Sequence, residues 1–210
     1  MKTNTLIFLP ALLVLVLGAC DDATVQENSK DYFPMADQAS WSYVEEYSCY
    51  CRDSTYSPAY YYDLRVMGDT LIAGKVYKKL ANHNNDILRL ARKEGNQYWE
   101  WDFTDEEYMI LDTDVPQNGS WIRYLYGGVH TIEYTVQATH GEINIKGRVY
   151  KNIFVVLQKH TYDVGTSTPA TSYAYHYYAR GIGEIMIRRP HDEPYRPKSK
   201  VLLLPVRTWK

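Results

Sequence analysis

Apolar and polar residues alternate along much of the chain, a period of two that is typical of β-strands with one face against a core. One stretch has apolar side chains at Ile132, Tyr134, Val136 and Ala138, with Thr, Glu or Gln at the positions between them. The same alternation occurs over 41–49 and 173–177, whereas only residues 86–92 place apolar side chains at helical spacing. The pattern predicts an all-β protein built from antiparallel strands.

One segment occurs twice. Residues 68–78 read GDTLIAGKVYK and residues 141–151 read GEINIKGRVYK, so that both glycines, the acidic second residue and the Val-Tyr-Lys end coincide. Each copy places a glycine, Gly74 or Gly147, between two short alternating runs, which is typical of a tight hairpin turn. We therefore expect two equivalent hairpins and a duplicated structural unit.

Weaker similarities extend the repeat. A Ser-Trp pair precedes each copy, at Ser40-Trp41 and Ser120-Trp121, and a Glu-x-Met-Ile sequence follows, at 107–110 and 184–187. We expect one domain over 32–210, with repeat halves of about 32–111 and 112–210 and five or six strands in each half. Stacking or closing a sheet of ten or more strands protects its edges. The expected fold is therefore an antiparallel sandwich or open barrel.

Composition narrows the class of protein. The 210 residues carry 23 Lys and Arg against 25 Asp and Glu, a net charge of −2, which argues against an electrostatic nucleic-acid binder. Hydrophobic residues make up 45% of the chain, enough for one substantial core. The 21 tyrosines favour the pleated, half-buried surface of a sheet. Composition thus agrees with the all-β prediction.

The first twenty residues have the organisation of a bacterial export signal. Lys2 supplies a basic start, and the apolar run Leu6–Leu17 is too short for a permanent transmembrane helix. The sequence Leu17-Gly18-Ala19-Cys20 resembles the lipobox of bacterial lipoproteins, in which the signal peptidase cuts before the cysteine that receives the lipid. The resemblance implies a signal peptide over 1–19 and membrane anchoring through a lipid on Cys20.

The polar residues after the cysteine are expected to form a lipidated, flexible tether over 20–31. Asp21-Asp22 resembles the export signal that follows the lipidated cysteine in surface lipoproteins of the Bacteroidota. A solvated acidic tether explains the same two residues. The expected location is the bacterial outer membrane, either at the cell surface or on the periplasmic side.

The rest of the chain resembles a broad group of uncharacterised Bacteroidota lipoproteins. Their pattern is a Tyr-x-Pro and Trp-x-Tyr opening, an Asp-Thr…Gly-Lys-x-Tyr hairpin and a closing Gly-x-Gly strand. It occurs here as Tyr32-Phe33-Pro34, Trp41-Ser42-Tyr43, residues 69–77 and residues 178–185. The resemblance covers nearly the whole mature chain and implies architecture alone, since the group offers no catalytic residues to transfer.

Catalytic and cofactor motifs are missing from the sequence. The histidines are scattered, at His83, His130, His140, His160, His176 and His191. There is no His-Glu-x-x-His, no Gly-x-Ser-x-Gly and no phosphate-binding glycine loop. Asp112-Thr113-Asp114 lacks the spacing of a calcium loop and is interpreted as a solvated turn. We expect no catalytic residue, no metal site and no cofactor, while a site assembled across strands stays open.

Cys49 and Cys51 stand two residues apart, which places both thiols on the same face of a strand. Disulfides form in envelope compartments, although a bridge between positions i and i+2 of an extended strand is near the upper limit of Cα separation. Free thiols, a local disulfide and metal or redox chemistry all stay open for this pair.

The aromatic surplus points to a recognition surface. The candidates for ligand binding are Trp41, Tyr60, Tyr61, Tyr62, Tyr175 and Tyr177, because aromatic side chains concentrate at binding sites. Core packing is the simpler explanation for any single one of them. In 60–62, however, alternation points Tyr61 away from its neighbours, so one face carries an exposed ring unless both faces are covered.

These observations predict a non-catalytic, lipid-anchored envelope protein that binds a glycan, a peptide or another envelope protein, and no nucleic acid. A solid core with aromatic rings outside favours this binding module. The alternative is a small envelope hydrolase or a carrier of lipid or another hydrophobic ligand, which an apolar cavity with convergent polar groups would favour. A purely structural spacer is the third interpretation, and polar, featureless faces would favour it.

Overall fold

The computed structural model describes residues 30–37, 39–48, 59–102, 106–165, 167–190 and 198–203. Within them the chain forms fourteen strands and a 3₁₀ turn at Tyr126–Gly128, so the all-β prediction is confirmed. The strands are β1 (Ser40–Ser48), β2 (Ala59–Ile72), β3 (Lys75–Ala81), β4 (Ile87–Glu94), β5 (Gln97–Trp101), β6 (Glu107–Asp112), β7 (Ser120–Leu125), β8 (His130–Ala138), β9 (Glu142–Ile145), β10 (Arg148–Lys151), β11 (Ile153–Tyr162), β12 (Ala170–Ala179), β13 (Gly183–Arg189) and β14 (Lys198–Leu203). No helix in this part of the chain has the length and apolar character to cross a bilayer.

Twelve of the strands form one antiparallel sheet, in the order β6-β5-β4-β3-β2-β1-β14-β13-β12-β11-β8-β7, while β9 and β10 pair with each other. The first and last strands meet in the middle of this sheet, with Tyr43 opposite Leu203. Two meanders are thereby joined side by side. The sheet edges are β6 and β7, which follow each other in sequence.

The long sheet is rolled. Arg89 of β4 and Glu184 of β13 are five strand spacings apart, about 24 Å in a flat sheet at about 4.8 Å per strand. Their side chains nevertheless approach to 3.5 Å, from Nη1 to Oε2. At the sheet edges, Trp121 of β7 donates from Nε1 to the carbonyl of Met109 in β6 at 3.2 Å. The face that carries Arg89 and Glu184 is therefore concave, and we call it the inner face.

The core fills the inside of the rolled sheet. In β8, Ile132, Tyr134 and Val136 are buried, as the alternation predicts. The segment 30–37 covers one end of the core. Its Phe33 stacks on Trp41, with ring centroids 5.6 Å apart and planes nearly parallel, and the indole Nε1 of Trp41 donates to the carbonyl of Ile182 at 2.6 Å. Trp41 is thus fixed from both sides.

The two recurring segments form hairpins of identical register, so the hairpin prediction is confirmed at both places. Thr70 lies opposite Tyr77 in the first, and Ile143 lies opposite Tyr150 in the second. The central turn residues all have positive φ, at Ala73 (48°), Gly74 (78°), Lys146 (51°) and Gly147 (87°). Two consecutive positive φ values define the type I′ turn, whose twist matches that of the flanking strands.

Each hairpin lies against the outer face of the sheet. In the first, Tyr77 packs edge-on against Trp101, with ring centroids 6.0 Å apart. Glu107 of β6 accepts hydrogen bonds there from Lys75, Tyr77 and Arg92. The second hairpin forms its own small sheet, from which Lys146 Nζ reaches Glu46 Oε1 of β1 at 2.5 Å. The first hairpin is thus part of the long sheet, whereas the second is a separate two-stranded sheet.

The weaker similarities have mixed outcomes. Ser40-Trp41 begins β1 and Ser120-Trp121 begins β7, the opening strands of the two meanders. The Glu-x-Met-Ile sequences do not correspond, because 107–110 lie in the edge strand β6 and 184–187 lie in the interior strand β13. The proposed boundaries of the repeat halves stay a prediction.

Residues 86–92 are not helical. They belong mostly to β4, which pairs with β3 and β5. Leu90, Ala91 and Arg92 are buried in succession because the inner core covers one face of β4 and the first hairpin covers the other. Burial on both faces removes the period of two, and this imitates helical spacing in the sequence.

Candidate functional site

The inner face holds a group of buried charges. Arg89 of β4 forms ion pairs with Glu100 of β5 and with Glu184 of β13. Both carboxylates are buried. Removing one partner of a buried ion pair typically destabilises a protein by about 3–5 kcal/mol, because the other charge is left without compensation. The guanidinium and the two carboxylates therefore depend on each other.

His176 of β12 completes this inner ion cluster, which consists of Arg89, Glu100, His176 and Glu184. The Nδ1–H of His176 donates to Glu184 Oε1 at 2.6 Å. Burial by itself raises the pKa of Glu184, but the hydrogen bond from His176 and the charge of Arg89 outweigh burial and lower the pKa. Glu184 is therefore ionised at neutral pH.

Tyrosine hydroxyls surround the inner ion cluster. Tyr108 donates to Glu100 Oε2 at 2.8 Å, and Tyr43 donates to the main-chain carbonyl of Glu184 at 3.0 Å. Tyr62 stacks on Tyr43, with ring centroids 5.1 Å apart. Burial raises the pKa of Tyr62 to about 12, and the charge of Glu184 adds to this effect. The three hydroxyls stay protonated at neutral pH, and those of Tyr43 and Tyr108 act as hydrogen-bond donors.

Arg123 of β7 connects the two edges of the sheet. It forms an ion pair with Asp102, and its guanidinium lies over the ring of Tyr108 in β6, 3.5 Å from the centroid. A cation on an aromatic face is worth about 0.5–2 kcal/mol, depending on how far it is desolvated. Together with the hydrogen bond from Trp121 to Met109, these contacts hold the rolled sheet closed at its edges.

The inner ion cluster has limited chemistry available to it. A histidine oriented by a carboxylate is the arrangement that general-base catalysis uses, but the base must also reach a nucleophile or a water. Among the described side chains, none is hydrogen-bonded to Nε2 of His176. The charges face one another across the rolled sheet. The cluster therefore fixes how β4, β5, β12 and β13 pack.

A group of exposed apolar side chains lies at the β7 edge. Its members, with their exposed fractions, are Ile122 (49%), Tyr124 (65%), Tyr126 (74%), Val129 (51%) and Val164 (44%). Ile122 and Tyr124 alternate along β7 and share one face, Tyr126 follows in the 3₁₀ turn, and the Val164 N–H donates to the Val129 carbonyl at 3.0 Å. We call these five residues the rim patch. Clustered apolar exposure marks interaction sites on soluble domains.

The backbone of the rim patch is strained at Tyr126. Its φ is 52°, and Gly127 and Gly128 continue with 66° and 94°. A non-glycine residue in the left-handed region costs about 1–3 kcal/mol and persists where the surrounding structure imposes it, often at functional sites. This turn presents the Tyr126 ring to solvent.

The structure separates the aromatic residues that the sequence grouped as ligand candidates. Trp41 is buried, its ring stacks on Phe33 and its indole N–H donates to the Ile182 carbonyl, so it presents no exposed ring to a ligand. Tyr175 and Tyr177 are half-buried and pack against the core. Large aromatic side chains fill this core, and the sequence alone could not distinguish them from rings at a binding surface.

The run 60–62 behaves as alternation predicts. Tyr61 is 72% exposed, whereas Tyr62 is half-buried against Tyr43, and Tyr60 is 61% exposed near the start of β2. The exposed rings at Tyr124 and Tyr126 were missed by sequence reasoning. Their alternation with Trp121 and Arg123 was present in the sequence, but it did not show which face of β7 lies outside.

The structure describes some of the other predicted sites and not the rest. Cys20, Cys49 and Cys51 lie outside the described residues, and their lipidation, redox state and disulfide stay predictions. Asp112 and Asp114 form a turn, in which the Asp114 N–H donates to Asp112 Oδ1 at 2.9 Å. Within the described ranges, no group of three or more His, Cys, Asp or Glu is placed to hold a metal ion.

The histidines are less scattered in the structure than in the sequence. His130 of β8 and His160 of β11 face each other, with 3.4 Å between His130 Nε2 and His160 Nδ1. Only the pairing of two strands that are not consecutive in the chain brings them together. No spacing rule along the sequence detects such a pair.

Comparisons with known proteins give structural neighbours alone. No family model matches the chain, and no curated protein matches it. One similar crystal structure is of a protein regarded as a lipoprotein from Parabacteroides distasonis, with TM-score 0.46 and 10% identity, covering 84% of this chain and 98% of that chain. Another is of a protein regarded as exported, with a YmcC-like fold, from Bacteroides fragilis, with TM-score 0.49 and 11% identity, covering 83% and 97%.

Proposed function

We propose that this chain is a lipid-anchored protein of the bacterial cell envelope that binds a partner protein or peptide through the rim patch and catalyses no reaction. The anchor is supported by Leu17-Gly18-Ala19-Cys20, which follows an export signal of suitable length. Recognition is supported by the rim patch, the single observation on which the binding role rests. The outer membrane is the proposed location.

The composition of the rim patch favours a protein partner over a glycan. The patch combines two exposed tyrosine rings with Ile122, Val129 and Val164, and branched aliphatic side chains gain little from a polar sugar. Protein interfaces, in contrast, combine tyrosine with apolar neighbours at their centre. The Tyr126 backbone lies in the left-handed region, in a turn that leaves its ring 74% exposed.

The alternative of a lipid or hydrophobic-ligand carrier has weaker support. Such a carrier needs an apolar cavity with a few convergent polar groups. The inner face here carries Arg89 between two carboxylates, with tyrosine hydroxyls around them. These charged and hydroxyl groups give this part of the inner face a polar lining, which an acyl chain does not favour.

The anchor is tested by replacing Cys20 with Ala in the full-length chain. We expect loss of fatty-acid labelling and release of the protein from the membrane fraction, because several acyl chains exceed the threshold for stable anchoring. Retained labelling would refute the lipoprotein assignment. Protease treatment of intact and of lysed cells then separates surface display from the periplasmic side.

The binding role is tested by a photo-reactive amino acid placed at position 124 in living cells. The matched control is position 71, where Leu71 is 69% exposed on the first hairpin. We expect a specific cross-linked protein from position 124 alone, which disappears when Ile122 and Tyr126 are changed to Ser. Equal cross-linking at both positions, or none at 124, would count against the rim patch. Glycan binding that depends on Tyr124 would replace the protein partner with a sugar.

A further inference from the structure

The pair His130 and His160 has the geometry of two ligands on one ion. His160 lies opposite Ile132 and Tyr162 lies opposite His130, so the two histidines are diagonal neighbours on the same face of adjacent strands. Zn–N distances are about 2.0–2.1 Å, and two nitrogens at the corners of a tetrahedron around one ion are then about 3.4 Å apart. The observed separation between His130 Nε2 and His160 Nδ1 is 3.4 Å.

Both rings are held in place by neighbours. Gln158 Oε1 lies 3.4 Å from His160 Nε2, and since an amide oxygen only accepts, this nitrogen carries the proton. The lone pair of His160 is therefore on Nδ1, which faces His130. The His130 ring stacks on Tyr162, with centroids 4.3 Å apart and 23° between the planes. Such outer contacts orient metal-binding histidines in proteins.

Arg123 is the charged side chain that acts on His130. Arg123 itself is ion-paired with Asp102, so its repulsion of a bound cation is reduced.

We propose that His130 Nε2 and His160 Nδ1 together bind one transition-metal ion of the zinc, nickel or copper class, with solvent completing its coordination. Imidazole nitrogen suits these ions and not Mg²⁺ or Ca²⁺, which prefer oxygen ligands. Two protein ligands leave open positions, so the site accepts a further ligand from solution or from a partner. The proposal stands apart from the rim patch, since it requires none of the five residues there.

The test is a calorimetric titration of the full-length, untagged chain in detergent with NiCl₂, and with MgCl₂ for comparison. We expect one Ni²⁺ per chain and no Mg²⁺. Loss of an outer-contact residue typically weakens metal binding by about 10–100-fold, so we expect at least ~100-fold for His130→Gln or His160→Gln and about 10-fold for Gln158→Leu. The exposed controls His83→Gln and His140→Gln should bind as the parent does.

Two outcomes would overturn the proposal. Absence of Ni²⁺ binding would leave His130 and His160 as a hydrogen-bonded pair, and unchanged binding in both variants would place the metal elsewhere, for example at Cys49 and Cys51. If the variants unfold, Cu²⁺ bound to the parent chain is examined by electron paramagnetic resonance. Two imidazole nitrogens on the copper support the site, whereas one or none refutes it.

Discussion

Replacing Glu107 with Gln removes the negative charge that holds the first hairpin on the outer face of the sheet. Glu107 accepts hydrogen bonds from Arg92, Lys75 and Tyr77. Burial alone would raise the pKa of this carboxyl, but hydrogen bonds from these three groups outweigh burial and lower the pKa to about 2. A glutamine of the same shape keeps part of the hydrogen bonding and none of the charge.

The expected loss follows from this pKa. Against the ordinary value of 4.5, a pKa of about 2 corresponds to about 3.4 kcal/mol, at 1.36 kcal/mol for each pH unit. Solvent screening reduces this figure, because the Lys75 side chain is 48% exposed. We expect Glu107→Gln to lower the free energy of unfolding by about 1–2 kcal/mol at pH 7.

The pH dependence gives a sharper assay. Because the pKa of Glu107 is lower in the folded than in the unfolded chain, its stabilisation is present above pH 4.5 and is lost as the pH falls from 4.5 towards about 2. Urea unfolding at pH 7 and at steps through this window should show a shallower acid loss for Glu107→Gln than for the parent. The control is Glu94→Gln, which removes a carboxylate 68% exposed beside the same Arg92. Equal losses in both variants, or parallel curves for Glu107→Gln and parent, would refute the reasoning.

Three further predictions concern the backbone and the core. Gly183 has φ of 109°, and a Cβ there would lie 3.2 Å from Trp41 Nε1, so Gly183→Ala should destabilise the protein by about 1–3 kcal/mol. Calorimetry should show a smaller effect for Gly68→Ala, because a Cβ at that positive-φ position meets open space. An equal effect in both variants would exclude the clash with Trp41. Ala73→Asn places a preferred residue at a positive-φ position of a type I′ turn and should raise the free energy of unfolding by about 0.5 kcal/mol, whereas a decrease would contradict the turn assignment. Tyr43→Phe removes one buried hydrogen bond to a main-chain carbonyl and should cost about 1 kcal/mol in urea unfolding, and an unchanged midpoint would show that this bond contributes nothing.

Local features of the fold were accessible from the sequence. The two hairpins were predictable because their turns require a positive φ, which glycine adopts easily, at Gly74 and Gly147. The residues that flank the two glycines also repeat. The alternation in β8 was equally clear, since one of its faces is buried. Strand β4 was not, because both of its faces are covered and the period of two is lost. Alternation in the sequence therefore detects strands that are buried on one face, and it does not detect strands that are buried on both.

Contacts between distant segments were not accessible. The ion pair between Arg89 and Glu184 and the meeting of His130 with His160 depend on the order of strands in the sheet. The sequence separation of the two residues predicts neither contact, because each contact forms only when strands distant in the sequence come together in the rolled sheet. Trp41 shows a related limit, because residue type alone does not distinguish an aromatic side chain in the core from one at a ligand surface.

The pairing of β1 with β14 in the middle of the sheet has a consequence for how the chain folds. Strand β1 is made early in synthesis, yet its second neighbour is the last strand described. Until β14 arrives, the first six strands form a meander with an unpaired edge at β1, which is open to association with other chains. Pairing across such a long separation is slow, because much chain entropy is lost before contacts compensate for it. A chain of this topology therefore keeps the second edge of β1 unpaired until its last described strand has folded.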